Sequence, residues 1–202
     1  MVRLAGRVKL PADRERHNPV LAHSLAPSPS GSTLPPVQLD PALAKTLNAQ
    51  INLEFSSAYT YLGMAVYFEH SGLPGFGAWM RLQGQEELAH ASKFLDYVLD
   101  RGGQVELAAI PAPVTTYSSP LAACEASLAS ERRVSAAICD IYEQAVQVRD
   151  YPTLSFLKWF LDEQVEEEKT ATEMIAKLKL AGTAPGALFQ LDREAGSRAA
   201  AK

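Results

Sequence analysis

From residue 39 onward, apolar side chains recur every three or four positions, the spacing of helices that each bury one stripe. The first stripe reads Leu47, Ile51, Glu54, Ala58, Tyr61, Ala65, Phe68, and the second Met80, Gln83, Glu87, His90, Phe94, Tyr97. The third reads Cys124, Leu128, Glu131, Ser135, Ile138, Tyr142, and the fourth Leu157, Phe160, Gln164, Glu167, Ala171, Met174, Leu178. Capping residues, prolines and glycines separate them. Asp40-Pro41 is an N-cap followed by proline at the first helical position, opening a helix to about Glu69 that Gly72-Leu73-Pro74 stops. The second helix is expected from about Pro74 to Arg101, ended by Gly102-Gly103. Ser119-Pro120 opens a third, ending near Arg149, and Asp150-Tyr151-Pro152 restarts the chain into a fourth, ending near Gly182. A short fifth helix is expected from Pro185 to Ala195. No alternating run flanks an Asn-Gly or Asp-Gly turn, so strands are not predicted.

Connection lengths set the topology. A few residues join the first helix to the second and the third to the fourth, which makes each pair an antiparallel hairpin. Gln104 to Ser118 is longer and carries Pro111 and Pro113. Extended, such a segment reaches about 50 Å, against about 40 Å for the second helix. The chain is therefore read as all-α, a four-helix bundle with one long crossover and helices two and three pointing the same way.

Residues 1–38 break this pattern with six prolines and no sustained apolar period. They read as a disordered or extended leader, with residues 39–202 as the folded domain. The leader's five basic and two acidic residues leave −7 of the chain's net −4 charge on the rest. It has no apolar core of secretory-signal length; an organelle-targeting leader is the secondary reading. The acidic balance excludes a whole-chain nucleic-acid footprint, and no apolar run is long enough to span a bilayer. Cys124 and Cys139 fall on one helix about 22 Å apart, too far for a disulfide. Free thiols fit a reducing compartment, so a cytoplasmic protein is expected.

Each of the four stripes holds a glutamate near its middle, and His90 follows Glu87 at the i+3 spacing that puts both on one face. A lone glutamate on a helix is ordinarily solvated, and a lone core histidine is ordinarily a hydrogen-bonded packing residue. Four carboxylates at one level of a bundle differ: ionised together, they repel and lose hydration worth several kcal/mol each. They protonate or they surround cations, and two divalent ions offset four negative charges. Oxygen donors with one imidazole suit iron or manganese. Helical bundles meet this need with a glutamate from two helices and Glu-x-x-His from the other two. Here Glu87-x-x-His90 occurs once, and the second motif is altered to Gln164-x-x-Glu167.

Four segments resemble the ferritin family, specifically its bacterial non-haem type: 47–55 (LNAQINLEF), 85–91 (QEELAHA), 149–153 (RDYPT) and 162–169 (DEQVEEEK). The resemblance covers about residues 39–195. It implies that Glu54, Glu87 and His90 hold a first iron, with Glu87 bridging. Glu131 and Glu167 would hold a second, with Gln164 beside it. Tyr61, two turns after Glu54, would hydrogen-bond the centre and supply an electron. Glu86, Glu163, Glu166 and Glu167 match a third iron site on the cavity side; a solvated acidic face is the plainer reading for the first three. The missing second Glu-x-x-His argues against the haem-binding branch, so no haem is expected. The implied partners are Fe²⁺ and O₂ or H₂O₂ as substrates and 23 further copies of the chain in a hollow shell. Asp150 would line a three-fold pore or simply start the fourth helix, and the segment from Gly186 to Arg193 would pack near four-fold axes.

Two other readings compete with iron storage. A dimetal oxidase or peroxidase of the rubrerythrin kind would be a dimer saturating at two irons per chain. A metal-free structural bundle would bind no Fe²⁺. Trp79, Phe156, Trp159 and Phe160 are read as core or subunit-interface fillers rather than redox relays.

Overall fold

The computed structural model describes residues 38–201, with side chains to Ser197; apart from Gln38, the expected leader lies outside the described residues. Five α-helices and no strand occur among them: α1 (Pro41–His70), α2 (Pro74–Asp100), α3 (Pro120–Gln147), α4 (Tyr151–Ala181) and α5 (Pro185–Ala201). The expected helix starts are realised by their caps. Asp40 accepts from the Ala42 and Leu43 amides at 2.9 and 3.1 Å, Ser119 from Ala122 at 3.0 Å, and Asp150 from Thr153 at 3.1 Å. The third helix stops at Gln147, just before Arg149, whose φ of +57° is a left-handed conformation that no helix continues through.

α5 runs six residues past the expected Ala195. Gly196 looks like a stop in the sequence, yet it stays helical where α5 crosses α2. A Cβ there would lie 3.2 Å from the Gly75 Cα, and one on Gly75 would lie 1.8 Å from the Asp192 carbonyl oxygen. The two glycines thus form a notch that seats one helix on the other. α2 has no capping side chain of its own; Asp192 supplies one from α5, its Oδ1 accepting from the Phe76 amide at 2.9 Å.

α1 pairs with α2 and α3 with α4, α1 also packs on α3, and α5 lies on α2 and the end of α4. The crossover runs along α1. Asn48 donates to the Gln104 carbonyl at 2.9 Å and accepts from the Glu106 amide at 2.7 Å. Asn52 repeats the pattern with Glu106 and Ala108 at 2.8 and 2.7 Å. One helical turn and two extended residues both advance about 6 Å, so two amide side chains serve the extended backbone as a neighbouring strand would. Farther along, Gly63 admits the crossover against α1: a Cβ there would meet the Val114 carbonyl oxygen at 2.5 Å. The chain is thereby delivered to the far end of the bundle, and α3 runs parallel to α2.

The apolar core comes in two parts. One holds Met64, Phe68, Phe76, Met80, Cys124, Met174 and Leu178 and is sealed by Leu191 and Ala195 of α5. The other holds Leu47, Ile51, Phe94, Val98, Ile138, Leu157 and Phe160. Between them the stripes of all four long helices turn polar. On α3 the fully buried seam is Ser127, Glu131, Val134, Ile138 and Ile141; Leu128, Ser135 and Tyr142, expected in it, are only half-buried. Both cysteines are free, as expected, with Cys124 buried and Cys139 exposed. Burial pushes the Cys124 thiol up to about 12. No helix among the described residues is long and apolar enough to cross a membrane.

Candidate metal centre

The polar layer is built from Glu54 and Tyr61 on α1, Gln83, Glu87 and His90 on α2, Glu131 on α3, and Gln164 and Glu167 on α4, all buried. Glu54 is fully excluded from solvent, and Glu87 and Glu131 are each 1% exposed. All four mid-stripe glutamates are buried, and Glu54, Glu131 and Glu167 each act electrostatically on Glu87.

The two halves of this layer differ in what they have already bonded. Ligand atoms of Glu54, Glu87 and His90 lie within 4.8 Å of one another, the only such group among the described residues. His90 Nδ1 is 3.8 Å from Glu87 Oε2. Glu54 Oε1 accepts from Gln50 Nε2 at 2.7 Å, whereas among the described residues no donor outside the Glu54–Glu87 pair itself reaches Glu54 Oε2 or Glu87 Oε2. Unmatched buried carboxylate oxygens are costly, and a cation between them removes the cost. In the other half, Glu131 accepts from the Tyr61 hydroxyl and from Gln164 Nε2 at 3.3 Å, and Glu167 Oε2 accepts from Gln83 Nε2 at 2.7 Å.

Electrostatics follow burial. Desolvation pushes Glu54, Glu87 and Glu131 above the usual carboxylate range; for Glu87 the neighbouring Glu54, Glu131 and Glu167 add to it. Burial, then the Glu131 and Glu87 charges, push the Tyr61 phenol well above its ordinary value, so it is a donor throughout the neutral range.

The other expected site residues lie at the rim. Glu86 and Glu163 are half-buried and Glu166 is exposed, and among the described residues no group of three carboxylate or imidazole ligands forms around them. Trp159 is 41% exposed, outside the core of the single chain; its ring meets His90 edge-on at 5.4 Å and carries the Lys93 ammonium 3.1 Å above its centroid. Trp79, Phe156 and Phe160 are packed within the chain. The Asp150 carboxylate is engaged by the Arg101 guanidinium at 2.8 and 3.0 Å as well as by the α4 start. Burial alone would raise that carboxyl, but Arg101 and the Thr153 amide outweigh it and hold Asp150 below its ordinary value.

Sequence reasoning assigned no role to Gln50, Gln83 or Ser127. A signal was present: each stands four residues before a seam glutamate (Glu54, Glu87, Glu131), so its side chain shares that glutamate's stripe.

A bundle of four long helices with one crossover and a buried carboxylate-histidine layer at mid-height defines the ferritin-like class of metal-binding helical proteins. A family model described as a ferritin-like domain matches residues 44–181. Proteins named bacterial non-heme ferritin from Staphylococcus aureus and Staphylococcus haemolyticus are 38% identical over 156 residues, 77% of this chain and 94% of theirs. An open pore ferritin from the hyperthermophilic archaeon Archaeoglobus fulgidus is 45% identical and superimposes with a TM-score of 0.78, over 79% of this chain and 98% of that one. An engineered closed form of the same ferritin aligns with a TM-score of 0.77. The chain belongs to the ferritin family.

Proposed function

We propose that this protein oxidises Fe²⁺ at the buried centre with O₂ or H₂O₂ and stores the ferric product inside a cytoplasmic shell of 24 copies. The observation that carries the reading is the layer itself: four glutamates and a histidine at mid-bundle, with Glu54 Oε2 and Glu87 Oε2 reached by no donor outside their own pair. Glu54, Glu87 and His90 bind the first ferrous ion, and Glu131 and Glu167 the second, with Gln164 beside it. Glu87, between the two sets, bridges. With peroxide the stoichiometry balances as 2 Fe²⁺ + H₂O₂ + 2 H₂O giving 2 FeOOH + 4 H⁺, each iron losing one electron. Tyr61 keeps its proton and donates it in a hydrogen bond to Glu131; with O₂ as oxidant, reduction to water takes four electrons, and Tyr61 is placed to supply one of them, with that proton, alongside three ferrous ions that supply one each. The carboxylates stabilise the higher charge of the oxidised ions. Glu86, Glu163, Glu166 and Glu167 form an acidic way-station on the route of ferric ions to the cavity, where they hydrolyse to mineral. The net −7 of residues 39–202 draws ferrous ions in, more weakly at high salt.

Size-exclusion mass combined with iron loading of the purified protein tests this. A mass near that of 24 chains with hundreds of irons retained supports it. A dimer saturating at two irons per chain makes the protein a dimetal oxidase without storage.

A further inference from the structure

Gln83 is 4% exposed and has both ends of its amide fixed. Its Oε1 accepts from the Trp79 indole N–H at 3.1 Å, and its Nε2 donates to Glu167 Oε2 at 2.7 Å. Trp79, Gln83 and Glu87 stand four residues apart on α2, so this chain of bonds runs along one stripe from the indole to the level of the centre. The indole nitrogen is a donor only, which permits a single orientation of the Gln83 amide: oxygen toward Trp79, N–H toward Glu167. Reversed, the amide would set its oxygen against a carboxylate oxygen.

Glu167 needs such a hold. It lies at the edge of the layer, on the same helix as the half-buried Glu163 and the exposed Glu166, and the charge of Glu87 faces it from within. The Gln83 donor pulls its carboxylate inward against the repulsion of the Glu87 charge. We infer that Gln83, oriented by Trp79, is a positioning residue that keeps Glu167 turned inward and so prepares the second metal position. This inference rests on the two-ion reading of the centre. Gln83 binds Glu167 through Oε2, and being neutral it does not cancel the charge that attracts an ion. The first position lies apart from this device, since Glu54, Glu87 and His90 are already gathered.

The test is anaerobic titration of the assembled, iron-free protein with Co²⁺, followed by calorimetry and by the visible bands that report cobalt coordination. The parent chain is expected to take two ions. In Gln83→Leu the first is expected to bind as in the parent and the second about tenfold to a hundredfold more weakly, the scale of one hydrogen bond to a charged group. Trp79→Phe keeps the ring but frees the amide to turn, and a smaller loss of about threefold is expected, again for the second ion alone. That variant decides the matter should Gln83→Leu not assemble. Unchanged second-ion affinity in the folded variants, or equal weakening of both ions, overturns the inference while the two-ion centre stands. A parent that takes no second ion removes both.

Discussion

The Tyr61 hydroxyl on α1 donates to Glu131 on α3 across the middle of the bundle, with the Ser127 hydroxyl 3.1 Å away on its other side. Tyr61, itself held by Ser127, thus fixes one carboxylate before any ion arrives. Tyr61→Phe leaves Glu131 with Gln164 as its remaining side-chain donor. Loss of a donor to a buried carboxyl costs about 1–3 kcal/mol, which chemical denaturation of the metal-free protein should register with helix content intact.

Glu54, Glu87 and Glu131 all sit above their ordinary 4.5 in the folded chain, chiefly through burial. A group whose pKa rises on folding stabilises below its unfolded pKa, and that stability drains away as pH climbs through the folded value. Metal-free protein is therefore expected to melt at progressively lower temperature from about pH 5 toward pH 8, and added divalent ions should flatten the slope. Glu87→Gln should raise the melting temperature at neutral pH and reduce the slope while abolishing the fast phase of ferrous oxidation in stopped-flow absorbance. Asp150, held below its ordinary 3.8, has the opposite sign: its contribution is present at neutral pH and is lost on acidification through the low native value.

The crossover depends on α1 for its path. Asn52→Ala removes two hydrogen bonds to it and should cost about 1–2 kcal/mol, with faster hydrogen exchange at the Ala108 amide. Gly63→Ala sets a methyl group 2.5 Å from a backbone carbonyl and should cost about 1–3 kcal/mol with wider effects along residues 110–117.

α5 is held by a notch and a cap. Asp192→Ala should destabilise the chain by about 0.5–2 kcal/mol, the value of a helix N-cap. Gly75→Ala cannot keep α5 where it is, since the new Cβ would fall on the Asp192 carbonyl. Limited proteolysis should cut both variants within α5 sooner than the parent.

Helix starts and the glutamate layer were legible in the sequence because each rests on local rules. Asp40-Pro41, Ser119-Pro120 and Asp150 carry their caps within three residues, and the 3–4 spacing of Glu54, Glu87, Glu131 and Glu167 places them on buried stripes. What escaped depends on a second helix. Gly196 reads as a stop until Gly75 stands opposite it, and Gln83 reads as one more seam residue until Trp79 and Glu167 are seen at its two ends. The exact face of α3 escaped for a similar reason: Ser127 is chosen over Leu128 because the Tyr61 hydroxyl reaches it from α1.

The cap of α2 comes from a residue 116 positions later in the chain. During synthesis the first turn of that helix must wait, uncapped by Asp192, until α5 has left the ribosome. Completion of the bundle is thereby tied to α5, and a chain cut short before Asp192 carries an open helix end as a mark of incompleteness.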